Sequence, residues 1–219
     1  MWNEAFRSVE DIHGLMFLLK RSPRPTLMSS YFAALTKVFF VSQNYLCNAY
    51  AWIKLYNLSK GYLKNLTDED LKSLASAVVL SAMCIPPYEK TPLGNIDVGA
   101  RHERDSRLAS LLGYQLESMQ EAKNIMSREL IIKEIKRSGM VDNCAEEVRD
   151  LFNILEDGFH PLDLCQKAES KLKALESVTF KLSAEVSVKS IEVSDFIPLL
   201  KTLSVLRMFN QQSKVYRTL

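Results

Sequence analysis

Apolar side chains return every three or four residues along most of this chain, a period that suits helices packed on helices. The opening segment shows it. Trp2, Phe6, Val9, His13, Met16 and Phe17 share one flank, while Glu4, Arg7, Glu10 and Asp11 fall elsewhere on the wheel. Only 7 Gly and 7 Pro punctuate 219 residues, too few for a sandwich of short, turn-linked strands. A chain of this length buries roughly 70% of its unfolded surface, so it can build a real core. One large helical domain or two small ones fit.

Helix boundaries follow from the punctuation. Pro23 and Pro25 end the first helix near Lys20. Thr26 is placed to cap a second helix reaching about Val41. A third, from about Gln43 to Ser59, carries Tyr45, Ala49, Trp52 and Tyr56 on one stripe, with Gly61 as its stop. Thr67 caps a fourth, and Asp68, Glu69 and Asp70 stand where a helix N-terminus favours negative charge. Its core stripe reads Leu71, Leu74, Val78 and Met83, thickened by Ala75, Val79 and Ala82.

Residues 86–102, with Pro86, Pro87, Pro92, Gly94 and Gly99, read as a linker between units 1–85 and 103–219. A short helix over about Glu103 to Leu112, closed by Gly113, follows. Ser127 caps the next, which carries Leu130, Ile131, Ile132 and Ile135 and ends near Gly139. Asn143 with Glu146 forms a capping-box pattern ahead of Val148, Leu151, Phe152 and Leu155, and Gly158 closes that helix. Pro161 suits a first helical position in a helix reaching Leu175. Val186, Val188, Ile191 and Val193 point to extended structure within Thr179–Val193, as in a docked linker. Ser194 or Asp195 opens the last helix, with Pro198 in its first turn and Leu200, Leu203, Leu206 and Val215 on its buried side.

Catalytic and metal chemistry find no foothold in these patterns. Cys47, Cys84, Cys144 and Cys165 form no C-x-x-C pair and read as reduced thiols. His13, His102 and His160 make no metal-ligand spacing, and Gly-rich phosphate loops and the G-x-S-x-G elbow are missing. The expectation is a non-enzyme without catalytic, metal or cofactor-binding residues. No apolar run approaches the roughly 20 residues of a membrane span, and the start lacks a secretory pattern, which points to a cytoplasmic chain. Asn57-Leu58-Ser59 and Asn65-Leu66-Thr67 then match the glycosylation sequon by chance.

Charge is the strongest chemical signal. Between Ile12 and Thr67 there is no acidic residue, yet there are seven basic ones. Residues 1–66 hold eight basic and three acidic residues, +5, which leaves the remainder at −3. Ten of the twenty aromatics lie between Ile12 and Thr67, the interleaving expected of a nucleic-acid surface, although their helical spacing suits a core better. Lys20, Arg21, Arg24, Lys54, Lys60 and Lys64 are therefore the candidate contacts to RNA or an acidic partner. The first three sit on a proline-stiffened turn with no neutralising carboxylate nearby.

The wording Trp-Asn-Glu-Ala-Phe-Arg-Ser-Val-Glu-Asp-Ile-His-Gly-Leu over Trp2–Leu15 resembles the a (largest) subunit family of eukaryotic translation initiation factor 3, in the helical-repeat region preceding its PCI winged helix. Similar stretches follow in the family's order: Leu27–Phe32, Ala49–Leu55, Lys64–Thr67, Ala77–Pro87, Arg107–Gly113, Phe159–Leu164 and Ser213–Tyr216. Gln212 departs from the pattern, standing where an aliphatic residue is expected. The resemblance implies an all-α fold, an irregular helical repeat (α-solenoid, TPR-like) of antiparallel pairs leading toward a PCI domain. It implies a scaffold that binds sister subunits, notably c and b, and the small ribosomal subunit with its mRNA or rRNA. Family members are far longer, so the chain reads as a fragment, and without the winged helix it should pair weakly with the c subunit.

Three rival readings share these features: a PCI-type scaffold of the proteasome lid or COP9 signalosome, an enzyme with an unrecognised pocket, and a truncated product without independent function. Ribosome affinity, ligand-induced stabilisation and cooperative folding respectively discriminate them.

Overall fold

The computed structural model describes residues 2–19, 23–62, 66–86, 127–156, 163–183 and 186–218. Eight α-helices and one small β-hairpin make up these residues: α1 (Trp2–Leu18), α2 (Pro25–Val41), α3 (Tyr45–Tyr62), α4 (Asp68–Met83), α5 (Arg128–Arg137), α6 (Glu146–Glu156), α7 (Leu164–Leu175), β1 (Thr179–Lys181), β2 (Ser190–Glu192) and α8 (Ile197–Thr218). Most helices adjacent in sequence are adjacent in space. α2 packs on α3, α3 on α4, α6 on α7 and α7 on α8, the arrangement of an irregular helical repeat.

α4 is the hub, touching α3, α5, α6 and β1. The sequence stripe understates it, because every residue from Ser73 to Ile85 is buried. A helix buried on all sides needs small or apolar residues all round, which Ala75, Ala77, Val78, Val79, Leu80 and Ala82 supply at 0% exposure. Its serines are satisfied within the helix: Ser73 Oγ donates to Glu69 O (2.8 Å), Ser76 Oγ to Lys72 O (2.7 Å) and Ser81 Oγ to Val78 O (2.8 Å). At its start Thr67 Oγ1 accepts the Asp70 N–H at 3.2 Å, and the Asp70 carboxylate accepts the Thr67 N–H in return.

Several boundaries differ from the sequence reading, each for a local reason. α2 opens at Pro25, one residue before Thr26, because proline's fixed φ suits the first helical position; Arg24 occupies the cap without a side-chain bond. α3 starts at Tyr45, where Asn44 Oδ1 accepts the Cys47 N–H (3.1 Å), and runs through Gly61 to Tyr62. The turn before it holds Gln43 at φ 61°, a left-handed position usually given to glycine. α6 does not use the Asn143–Glu146 box. Ala145, just ahead of the helix, is the residue whose carbonyl takes the first helical bond, from Arg149 N–H (3.0 Å), and its own N–H donates to Ser76 Oγ of α4 at 2.9 Å. Ser127 caps α5 as expected, accepting the Leu130 N–H at 3.3 Å, but Leu130 itself is 48% exposed.

In α8 the buried side is Leu200, Leu203, Ser204 and Arg207, while Leu206 is 48% exposed. Arg207 turns inward because Leu155 O accepts from it (2.9 Å) and Glu156 pairs with it at 2.7 Å. The same Glu156 oxygen pairs with Arg128, whose Nε also donates to Ile85 O (3.2 Å). One carboxylate therefore ties α5, α6 and α8. The helix expected over Glu103–Leu112, the linker glycines, Gly158, Pro161 and the side chains of Gln212 and Val215 lie outside the described residues.

Among the described residues of the Thr179–Val193 segment, strands form only at Thr179–Lys181 and Ser190–Glu192. Of the four residues expected to be extended, Ile191 lies in a strand, Val186 and Val188 lie between the strands, and Val193 opens a 3-10 turn. β1 and β2 pair antiparallel with Phe180 opposite Ile191, and a 3-10 turn (Val193–Asp195) leads into α8. The hairpin clips back onto the N-terminal helices. Ser183 N–H donates to Asp70 Oδ1 (2.8 Å), and Ser29 and Ser187 share a hydroxyl bond of 2.9 Å. The Phe40 and Phe196 rings meet edge-on, 5.3 Å apart.

Candidate interaction surface

Of the six basic candidates, Arg24, Lys54 and Lys60 are described; Lys20, Arg21 and Lys64 lie outside the described residues. Arg24 is exposed at the start of α2, and Lys60 is exposed in the last turn of α3. A three-residue turn joins these two packed helices, so Arg24 and Lys60 belong to the same end of a helical hairpin. Lys54, half-buried, stands six residues earlier on α3, about 9 Å along its axis and about 120° around it. The structure thus gathers two candidates at one end and sets the third apart. None of the three has an ion-pair partner among the described residues.

Interleaving of aromatics with lysines has a packing explanation. Phe32, Phe39, Tyr50, Trp52 and Tyr56 are buried, with Phe39 at 0% exposure, so they form core and offer no stacking platform for bases. Lys54 Nζ lies 5.1 Å from the centre of the Tyr50 ring, and Lys60 Nζ lies 5.9 Å from that of Tyr56. Each is an i,i+4 pair in which a lysine covers the ring's outer face while its ammonium keeps contact with water. Among the described rings of this stretch Tyr62, 62% exposed and two residues after Lys60, stays open to a partner beside the charges.

Lys37, exposed on α2, belongs to the same unneutralised stretch but was not among the sequence candidates. It borders an open groove of about 350 Å³ between α2, α3 and β2. Nothing in linear spacing places Lys37 beside Glu192 and Asp195, which line the same groove from 155 or more residues away. Among the described residues no group of His, Cys, Asp or Glu side chains is arranged to hold a metal. Cys47, Cys84 and Cys144 are buried free thiols; burial pushes the Cys144 thiol up to about 11 despite the nearby Arg149, and raises Cys84 further. No described helix is long and apolar enough to cross a membrane.

Residues 1–163 match the family model described as the eIF3a PCI domain, TPR-like region. The chain belongs to this family. It is 40% identical over 220 residues to the A subunit of eukaryotic translation initiation factor 3 from Arabidopsis thaliana, covering all of this chain and 22% of the relative. The tobacco counterpart is 39% identical over 201 residues, 91% of this chain and 21% of the relative. The human counterpart is 33% identical over 222 residues, all of this chain and 15% of the relative. The chain thus spans about a fifth or less of the length of these curated relatives. The initiation-factor resemblance and the all-α helical-repeat expectation both hold.

Proposed function

We propose that this chain is a non-enzymatic scaffold segment of translation initiation factor 3, presenting helix faces to sister subunits and basic side chains to the small ribosomal subunit or its RNA. The family match over residues 1–163 carries this reading. It also favours the initiation factor over the proteasome lid and signalosome, which share the PCI architecture. The electrostatics agree: Arg24, Lys54 and Lys60 belong to a helical hairpin without a carboxylate of its own, whereas Lys37 shares the groove with Glu192 and Asp195 and is left out of the polyanion surface. The c and b subunits are the proposed neighbours, and the cytoplasm the proposed location. Residues 1–85 and 103–219 are proposed as the two units that make these contacts.

Co-sedimentation with purified small ribosomal subunits tests the proposal. The chain should pellet with them at low salt and release as salt rises. Arg24→Glu, Lys54→Glu and Lys60→Glu together should weaken binding and flatten its salt dependence, since each phosphate that is no longer neutralised removes roughly one unit of slope. Equal binding by the wild type and the triple variant at low salt would refute the assignment.

A further inference from the structure

The two edges of the β-hairpin differ in what covers them. Hydrogen bonds from Leu182 N–H to Lys189 O (3.0 Å) and from Val193 N–H to Val178 O (3.4 Å) fix which amides face inward. With Phe180 opposite Ile191, the backbone groups of residues 189, 191 and 193 point toward β1, and those of Ser190 and Glu192 point away. The outward carbonyl of Glu192 is engaged as the cap of the 3-10 turn at Val193–Asp195, while no partner stands against the outward groups of Ser190 among the described residues outside the helices and strands. β1 packs on α4, so the hairpin has one protected and one open edge.

The open edge borders the 350 Å³ groove, where Val188, Ser190, Ile191 and Glu192 of the hairpin stand across from α2 and α3. The groove walls are apolar and aromatic: Phe40, Val41 and Trp52 on the helices, Ile191 and Phe196 on the hairpin side. Phe40 and Phe196 brace each other edge-on, so this wall is preformed. Val41 is 50% exposed at the end of α2. Glu192 and Asp195 are also exposed here and have no ion-pair partner among the described residues.

We propose that this groove binds an extended segment of another polypeptide, which adds as a strand to β2, inserts one bulky apolar side chain against Trp52 and Phe40, and places a Lys or Arg beside Glu192 and Asp195. Unpaired backbone groups select an extended chain, the aromatic wall selects the anchor, and the two carboxylates select the basic neighbour. Such a strip holds whether or not the basic residues of α2 and α3 meet RNA.

A synthetic library of seven-residue peptides, capped at both ends, tests this on the whole chain. Enriched peptides should carry an aromatic or Leu side chain within two positions of a Lys or Arg. N-methylation of alternate amides on the best peptide should weaken it at least tenfold, because it removes the strand-edge donors. Val41→Asp, at an exposed site that should leave the helical circular-dichroism signal intact, should also weaken it at least tenfold. Glu192→Lys should turn the preference from Lys-containing toward Glu-containing peptides. Absence of enrichment, or binding that survives both methylation and Val41→Asp, would overturn the proposal. So would a dimer of the chain that Val41→Asp dissolves, which would make a second copy the occupant.

Discussion

Asp70 and Ser183 lie 113 residues apart in sequence and 2.8 Å apart in space, where the Ser183 backbone N–H donates to Asp70 Oδ1. The other carboxylate oxygen accepts from Thr67 Oγ1 at 2.8 Å, so one buried side chain both caps α4 and holds the hairpin. Helix capping, a local device, thereby serves a tertiary clip.

Replacing Asp70 should cost more than replacing the cap alone. Thr67→Ala removes the local cap, at about 1 kcal/mol. Asp70→Ala also leaves the Ser183 N–H without its charged acceptor, which adds about 1.5–3 kcal/mol. Chemical denaturation of both variants measures the difference. Equal losses would mean the clip contributes nothing.

Acid should weaken the same contact. Burial by itself would raise the Asp70 carboxyl, but hydrogen bonds from Ser183 and Thr67 outweigh it and hold the group below the usual carboxylate range. A depressed folded-state value stabilises fully above the unfolded value of about 3.9 and is lost as pH falls through the folded one. The gap in Tm between wild type and Asp70→Asn should therefore be constant from pH 7 to about 5 and close below about 4. A gap that stays open at low pH would contradict this account.

Glu156 neutralises two guanidiniums that are each largely out of water, Arg128 and Arg207 at 17% and 10% side-chain exposure. Glu156→Gln takes that charge from both and should destabilise by about 3–5 kcal/mol. Removing the half-exposed Lys171–Asp150 pair should move the midpoint far less, because solvent screens it. Urea midpoints for the two variants separate these cases.

Two leucines six residues apart on α8 should behave differently. Leu200→Ala empties a site at 0% exposure and should cost about 2–5 kcal/mol. Leu206→Ala acts on a side chain that is 48% exposed and should stay within about 0.5 kcal/mol. Thermal melts of the two variants read the helix's orientation directly.

These contrasts show which parts of the fold were legible in the sequence. Thr67 and Ser127 cap their helices because a hydroxyl three residues ahead of an amide is a local relation. Val148, Leu151, Phe152 and Leu155 are buried because their period alone assigns the face. Asn143 misled because the helix starts two residues later, with Ala145 in the cap position and its N–H held by Ser76 of another helix. Leu206 misled because Glu156 draws Arg207 inward and thereby sets which leucines turn outward. The aromatic–lysine interleaving was legible as either core or RNA surface, and burial resolves Phe32, Phe39, Tyr50, Trp52 and Tyr56 as core while Tyr62 stays exposed. Lys37, Glu192 and Asp195 could not have been grouped in advance, since only the returning hairpin brings them to one groove.

Lysine footprinting of the chain, alone and within an assembled initiation complex, tests the central claim most directly. The scaffold account predicts that Lys54 and Lys60, whose ammoniums reach water in the free chain, lose reactivity to acetylation in the complex and cross-link to small-subunit RNA or to sister subunits. Equal labelling of both lysines in the two states, with no cross-links from either, would contradict it.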